Sequence, residues 1–212
     1  MATLSDKNFT GLRTSVADWL HRSDLTNTDI GNFIFLAEAE FNTEMRNRNM
    51  EARTTIGVTT GYLPHPADWQ EWKTIVLVQG SQRFTLDPIS EEEATLLYGR
   101  TADDTMPRGY VVQNGRTYIY PSQAVTSYTY ETVYYQGIPN LTGSATTNWL
   151  LNSYPQGYLY ASLLQASAFA GNDERVALWK GGRDEAVAKI EQASKRASYS
   201  GGTPYMTPDR VC

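Results

Sequence analysis

Tyr110-Val111-Val112-Gln113-Asn114-Gly115-Arg116-Thr117-Tyr118-Ile119-Tyr120 reads as two strands around a tight turn. Asn114-Gly115 supplies the two positive φ angles that a type I′ hairpin requires, and β-branched and aromatic residues flank it on both sides. Working outward, 126–136 alternates. Tyr128, Tyr130, Thr132 and Tyr134 share one face and Thr129, Glu131, Val133 and Tyr135 the other, the pattern of a strand with one covered face. Upstream, 54–60, Ile75–Val78 and Arg83–Leu86 are further strand candidates. The prolines of Gly61-Tyr62-Leu63-Pro64-His65-Pro66 exclude a helix or a central strand there. Ser90-Glu91-Glu92-Glu93 is a capping-box sequence, predicting a short helix to Tyr98 that stops at Gly99.

The flanks change period. Phe9, Leu12, Val16, Trp19 and Leu20 recur at helical spacing, as do Ile30, Phe33, Ile34, Ala37, Phe41 and Met45 after a cap at Asn27 or Thr28. Arg46 and Arg48 follow, where the helix dipole favours cations. On the far side, Tyr158, Leu159, Ser162, Leu163, Ala166, Phe169 and Ala170 form one helical stripe. Val176, Trp179, Arg183, Ala186, Val187, Ile190 and Ala193 form another, with Gly171-Asn172-Asp173 as the break between them. Gly181-Gly182 interrupts the last stripe and predicts a kink or a close crossing. The expected fold is α+β: a bundle of an N-terminal and a C-terminal helix pair (1–50 and 148–198), a central β-rich insertion (51–147), and an extended, flexible arm (199–212).

Whole-chain properties narrow the function. The 212 residues carry a net charge of −5, and the basic residues are scattered, which argues against a protein built to grip nucleic acid. The single cysteine, Cys212, excludes an intrachain disulfide. The beginning of the chain has no basic-then-apolar leader, and no apolar run is long enough to span a bilayer, so no membrane partner is expected. Aromatic residues reach 12%, including 14 Tyr and 5 Trp, a composition that suits interfaces as well as half-buried strands.

Catalytic and metal-binding patterns are missing. His21 and His65 have no ligand partners at helical or loop spacing, and no nucleophile elbow, Walker loop or dinucleotide fingerprint occurs. Asp103-Asp104 and Glu91–Glu93 read as a solvated loop and a helix cap. Trp69 and Trp72 with the tyrosine strands suit core and subunit interface better than a sugar-binding platform. The expectation is a non-enzyme without cofactor or metal.

Several segments in order resemble one family. These are Val16–Leu25, Ile30–Glu40 with Met45-Arg46, and Leu63-Pro64-His65-Pro66-Ala67-Asp68-Trp69. Met106–Tyr110 and Gly115–Pro121 follow. The set closes with Val133–Leu141, Thr147–Leu151, Tyr154–Leu163 and Asn172–Trp179. Together they are similar to the head-to-tail adaptor (connector) proteins of tailed bacteriophages, of the short-tailed type. Gly181-Gly182 departs from the ordinary helix formers expected at that point.

The resemblance implies a structural virion protein, assembled in the host bacterial cytoplasm and placed at the head–tail junction. It implies a homo-oligomeric ring of about twelve copies with heterologous contacts between neighbours. The ring would dock on the portal protein, join it to a tail nozzle or tail tube protein, and let double-stranded DNA pass. Tyr199, Pro204, Tyr205, Met206, Pro208 and Val211 are the candidate portal-binding arm. Tyr128, Tyr130, Tyr134, Tyr135, Trp149, Tyr158 and Tyr160 are the candidate subunit-interface residues. The alternative reading is a carbohydrate-binding or hydrolytic tail component.

Overall fold

A computed structural model describes residues 6–22, 24–59, 61–99, 106–121, 128–170 and 174–198. The chain divides into two compact units, one formed by Met1–Asn49 with Ile138–Cys212 and one by Met50–Gly137. Secondary structure is mixed α+β.

In the first unit, α1 (Phe9–Leu20) is capped by Asn8, whose side chain accepts from the Gly11 N–H. Helix α2 (Asn27–Glu44) is capped by Thr26 rather than by the expected Asn27 or Thr28. Thr26 accepts from Asp29 N–H while the Asp29 carboxylate accepts from the Thr26 N–H, a full capping box. Arg46 folds back at the other end and donates to the carbonyls of Asn42 and Met45, both at 2.7 Å. Three C-terminal helices follow: α4 (Trp149–Ser153), α5 (Pro155–Ala170) and α6 (Val176–Ser198). Helix α5 is central, touching α1, α2, α4 and α6. Its stripe of Tyr158, Leu159, Ser162, Leu163 and Ala166 is buried as the periodicity predicts, whereas Phe169 is exposed. The break expected at 171–173 lies outside the described residues, as does the arm at 199–212.

The second unit is a seven-stranded sheet with one short helix. The strands are β1 (Glu51–Val58), β2 (Tyr62–Leu63), β3 (Trp69–Gln79), β4 (Gln82–Pro88), β5 (Gly109–Gln113), β6 (Arg116–Tyr120) and β7 (Tyr128–Gln136). Helix α3 (Glu91–Tyr98) lies between β4 and β5. Their order is β1-β7-β3-β4-β5-β6-β2, antiparallel except for β4 with β5. The two end strands, β1 and β2, meet, so the sheet curls until nearly closed, which leaves little unpaired edge. Asn114 and Gly115 take φ of 50° and 70° in the β5–β6 turn, as the hairpin reading requires. Ser90 caps α3 and Gly99 ends it at φ 62°.

Alternation along β7 fills the interior. Tyr130, Thr132 and Tyr134 are buried, and Trp72, Ile75, Leu77, Leu86 and Ile119 are among the core residues around the tyrosines. No helix among the described residues is long and apolar enough to cross a membrane.

Candidate assembly interface

The stretch 138–147, expected to belong to the β-rich insertion, packs instead with the helical unit. Two α2 side chains one turn apart hold it. Asn42 Oδ1 accepts from the Ile138 N–H at 2.7 Å, and Glu38 Oε1 accepts from the Leu141 N–H at 2.9 Å. The Tyr158 hydroxyl donates to the same Glu38 oxygen at 2.6 Å and accepts from Asn148 Nδ2, which also donates to the Pro139 carbonyl. The other end of the Asn148 amide accepts from the Leu151 N–H and caps α4. Glu38 is only 1% exposed. Burial raises its pKa, partly offset by the bonds from Tyr158 and Leu141, and burial beside that carboxylate raises the Tyr158 hydroxyl far above its ordinary range. This network fixes a loop; nothing in it is aimed at an external ligand.

A second polar node ties α6 to α2. The buried Arg183 guanidinium pairs with Glu40 at 2.7 Å, with Asp184 at 2.9 Å, and with Glu44. Gln165 of α5 donates to the other Glu40 oxygen at 2.7 Å. Such a planar cation can satisfy several carboxylates at once, and removing it would leave clustered negative charge.

In the sheet unit, the prolines of 61–66 steer His65 into an aromatic cluster. His65 stacks on Trp69 at 3.8 Å between ring centroids and meets Trp72 edge-on. Trp72 Nε1 donates to Thr117 Oγ1 at 2.6 Å, and His65 Nε2 lies 2.8 Å from the same oxygen. Burial lowers the His65 pKa, which favours the neutral ring. Tyr134 donates to Asp68 at 3.0 Å. The residues that could have formed a sugar platform are committed to one another.

These placements sort the expected interface residues. Tyr130, Tyr134 and Tyr158 are buried within their own units and cannot offer their rings to a neighbour. The alternation along 128–134, read as a strand with one covered face, places the first two on the inward side. Tyr128, Tyr135, Trp149 and Tyr160 are half-buried. Among the described residues, no group of three or more His, Cys, Asp or Glu could hold a metal ion.

Other side chains are better exposed. Phe35 and Leu36 on α2, Leu96 and Leu97 on α3, Phe169 at the end of α5 and Leu178 on α6 all stand in solvent. Leu96 is 85% exposed. Phe35-Leu36 and Leu96-Leu97 are pairs of adjacent exposed apolar side chains, one pair in each unit. The sequence signal for Phe35 and Leu36 was available: both fall outside the buried stripe of α2.

The family model described as SU10 adaptor protein matches residues 7–210. The chain belongs to this family of phage head-to-tail adaptors. The match spans both units, so the sheet is as much part of the adaptor as the helices. It places the chain among structural components of the phage virion. No curated protein matches the chain.

Proposed function

We propose that this adaptor chain is one subunit of a homo-oligomeric ring, of the short-tailed phage type, that docks on the portal and joins it to a tail nozzle or tail tube protein. The observation that carries this reading is the family match across nearly the whole chain. The exposed apolar side chains on both units support it, because a subunit that meets partners at several surfaces must keep such groups uncovered until assembly.

Ring closure sets the geometry. In a cyclic assembly, each copy presents one surface to its left neighbour and a different one to its right. The helical unit reads as the bundle that packs around such a ring, with Trp149 and Tyr160 near the contact. Tyr128 and Tyr135 are the corresponding candidates in the sheet unit. The resemblance to short-tailed phage adaptors puts the copy number at about twelve. Net charge of −5 suits a passage that double-stranded DNA must traverse without being held. The segment 199–212, with Tyr199, Pro204, Tyr205, Met206, Pro208 and Val211, serves as the arm that orders on portal.

The carbohydrate-binding alternative lacks an observation in its favour. Its platform would need free aromatic faces, whereas Trp72 is buried and Trp69 is stacked on His65. Negative-stain imaging of the purified protein mixed with its portal tests the proposal. An added ring on one end of the portal is the expected image; portal particles unchanged at saturating protein would refute it.

A further inference from the structure

The sheet of the second unit splits beside β3. The β3–β4 ladder runs from Gln79 opposite Gln82 to Ile75 opposite Leu86 and ends there. Residues 69–74 then have β7 on one side and no paired strand on the other. Past Leu86, β4 turns to β5 and pairs Asp87 and Pro88 with Gly109 and Tyr110. The Ile89 N–H closes that ladder on the Tyr110 carbonyl at 3.0 Å. Residues 111–113 keep β6 on one side and have no paired strand on the other. Register shifts in β3 after Trp69 and after Trp72 mark bulges, which bend a strand and end its regular pairing.

A cleft of about 610 Å³ lies at this split, lined by β3, β4 and β5. Its floor is apolar, for Trp72, Leu86 and Tyr110 are buried there, and Val112, 46% exposed, lines the β5 side. Trp69 also lines the cleft, and its indole N–H is buried without an acceptor. A buried donor left unpaired costs about 1–3 kcal/mol, so a carbonyl brought to it would be welcome. Burial raises the Tyr110 pKa, and the carboxylates of Glu71 and Asp87 raise it further, so both sit near its hydroxyl. The one cation of the lining, Lys73, is joined to Glu51 at 2.6 Å, and Asp87 makes no ion pair among the described residues.

Open backbone edges on both lips, an apolar floor and a carboxylate without a cation specify an occupant. Edge N–H and C=O groups are met by an extended chain, the main-chain pairing of strand addition. Alternate side chains of such a chain turn to opposite faces. One set covers the buried Trp72, Leu86 and Tyr110, and the other lies on the exposed side with Asp87. The matching segment is therefore apolar at every second residue, basic between, and free of proline where it pairs. The ends of this chain outside the described residues do not fit: 1–5 has no basic residue, and 199–212 is interrupted by Pro204 and Pro208. Bulges and charged side chains on an open edge discourage pairing between copies. Here they restrict the edge to a chain whose register and charge match.

We propose that the cleft between β3 and β5 receives an extended segment of a partner protein, alternating apolar and basic residues, as an added strand. The inference rests on the docking reading above for the existence of a protein partner, and it states how one such partner is held.

The test uses the full chain and a labelled peptide of alternating Lys and Val, followed by fluorescence anisotropy and amide hydrogen exchange. Binding is expected, with slowed exchange within 69–74 and 111–113. The same peptide N-methylated at each Val loses its donors along one edge and should bind more than about tenfold more weakly. Asp87→Lys, at an exposed position, should weaken the Lys–Val peptide about tenfold and leave a Ser–Val peptide unaffected. Equal binding by the methylated peptide would overturn the strand pairing, and equal binding by Asp87→Lys would overturn the charge assignment. An absence of binding at about 1 mM peptide would overturn the site itself. None of these readouts needs a ring. If the chain assembles on portal while the peptide fails to bind, the docking reading stands and this inference falls.

Discussion

The Tyr158 hydroxyl donates a 2.6 Å hydrogen bond to Glu38 Oε1, joining α5 to α2 across 120 residues of chain, and the same oxygen accepts from the Leu141 N–H. Truncating Glu38 to alanine would strand two buried donors at about 1–3 kcal/mol each. Glu38→Ala should therefore lower stability by about 3 kcal/mol, measured by denaturant unfolding of the helical unit's signal. Tyr158→Phe removes the bond to Glu38 and the one from Asn148, but it leaves the Leu141 N–H its acceptor and Asn148 Nδ2 the Pro139 carbonyl, and should cost less.

The pH dependence follows from the same carboxyl. Burial raises its folded pKa above the unfolded value near 4.5, so the folded state holds a proton that the unfolded state has released. Stability from this group is present in full below pH 4.5 and declines as pH rises through the folded pKa. Glu38→Gln keeps an acceptor oxygen but cannot ionise. Its melting temperature relative to wild type should climb across that window, and parallel curves for the two proteins would contradict the assignment.

The adjacent glycines of α6 should respond in opposite directions. Gly182→Ala places a methyl 2.7 Å from the Tyr160 ring and should destabilise by about 1–3 kcal/mol. Gly181→Ala meets open space and should stabilise the monomer by up to about 1 kcal/mol. Thermal melts of the two variants side by side check the contrast.

The elements of the fold were largely legible because each follows a local rule. Asn114-Gly115 dictates its turn, Ser90 its helix start, and the alternation of Tyr128 to Tyr134 a strand with one buried side. What that buried side meets is not local. Tyr130 and Tyr134 turn into the sheet's own interior because distant strands curl β1 against β2, and no spacing along β7 announces that. The boundary near Ile138 was equally hidden. It depends on Glu38 and Asn42 reaching a loop about a hundred residues away, and a carboxylate inside an apolar stripe gives no hint of which N–H it accepts from. Gly181-Gly182 stood out, but only packing separates the glycine that admits Tyr160 from the one beside open space.

Removing 199–212 should leave the helices and the sheet intact. The truncated chain should melt like the full one yet fail to co-sediment with portal. Equal recovery of both proteins in the portal pellet would remove the arm's assigned role.

The account stands or falls on whether this chain assembles with itself. Native mass measurement of the full chain, alone and with portal, addresses that most directly. A single multi-copy species, alone or on portal, with its mass an integral multiple of the subunit is the predicted result. A chain that remains one subunit under both conditions would contradict it.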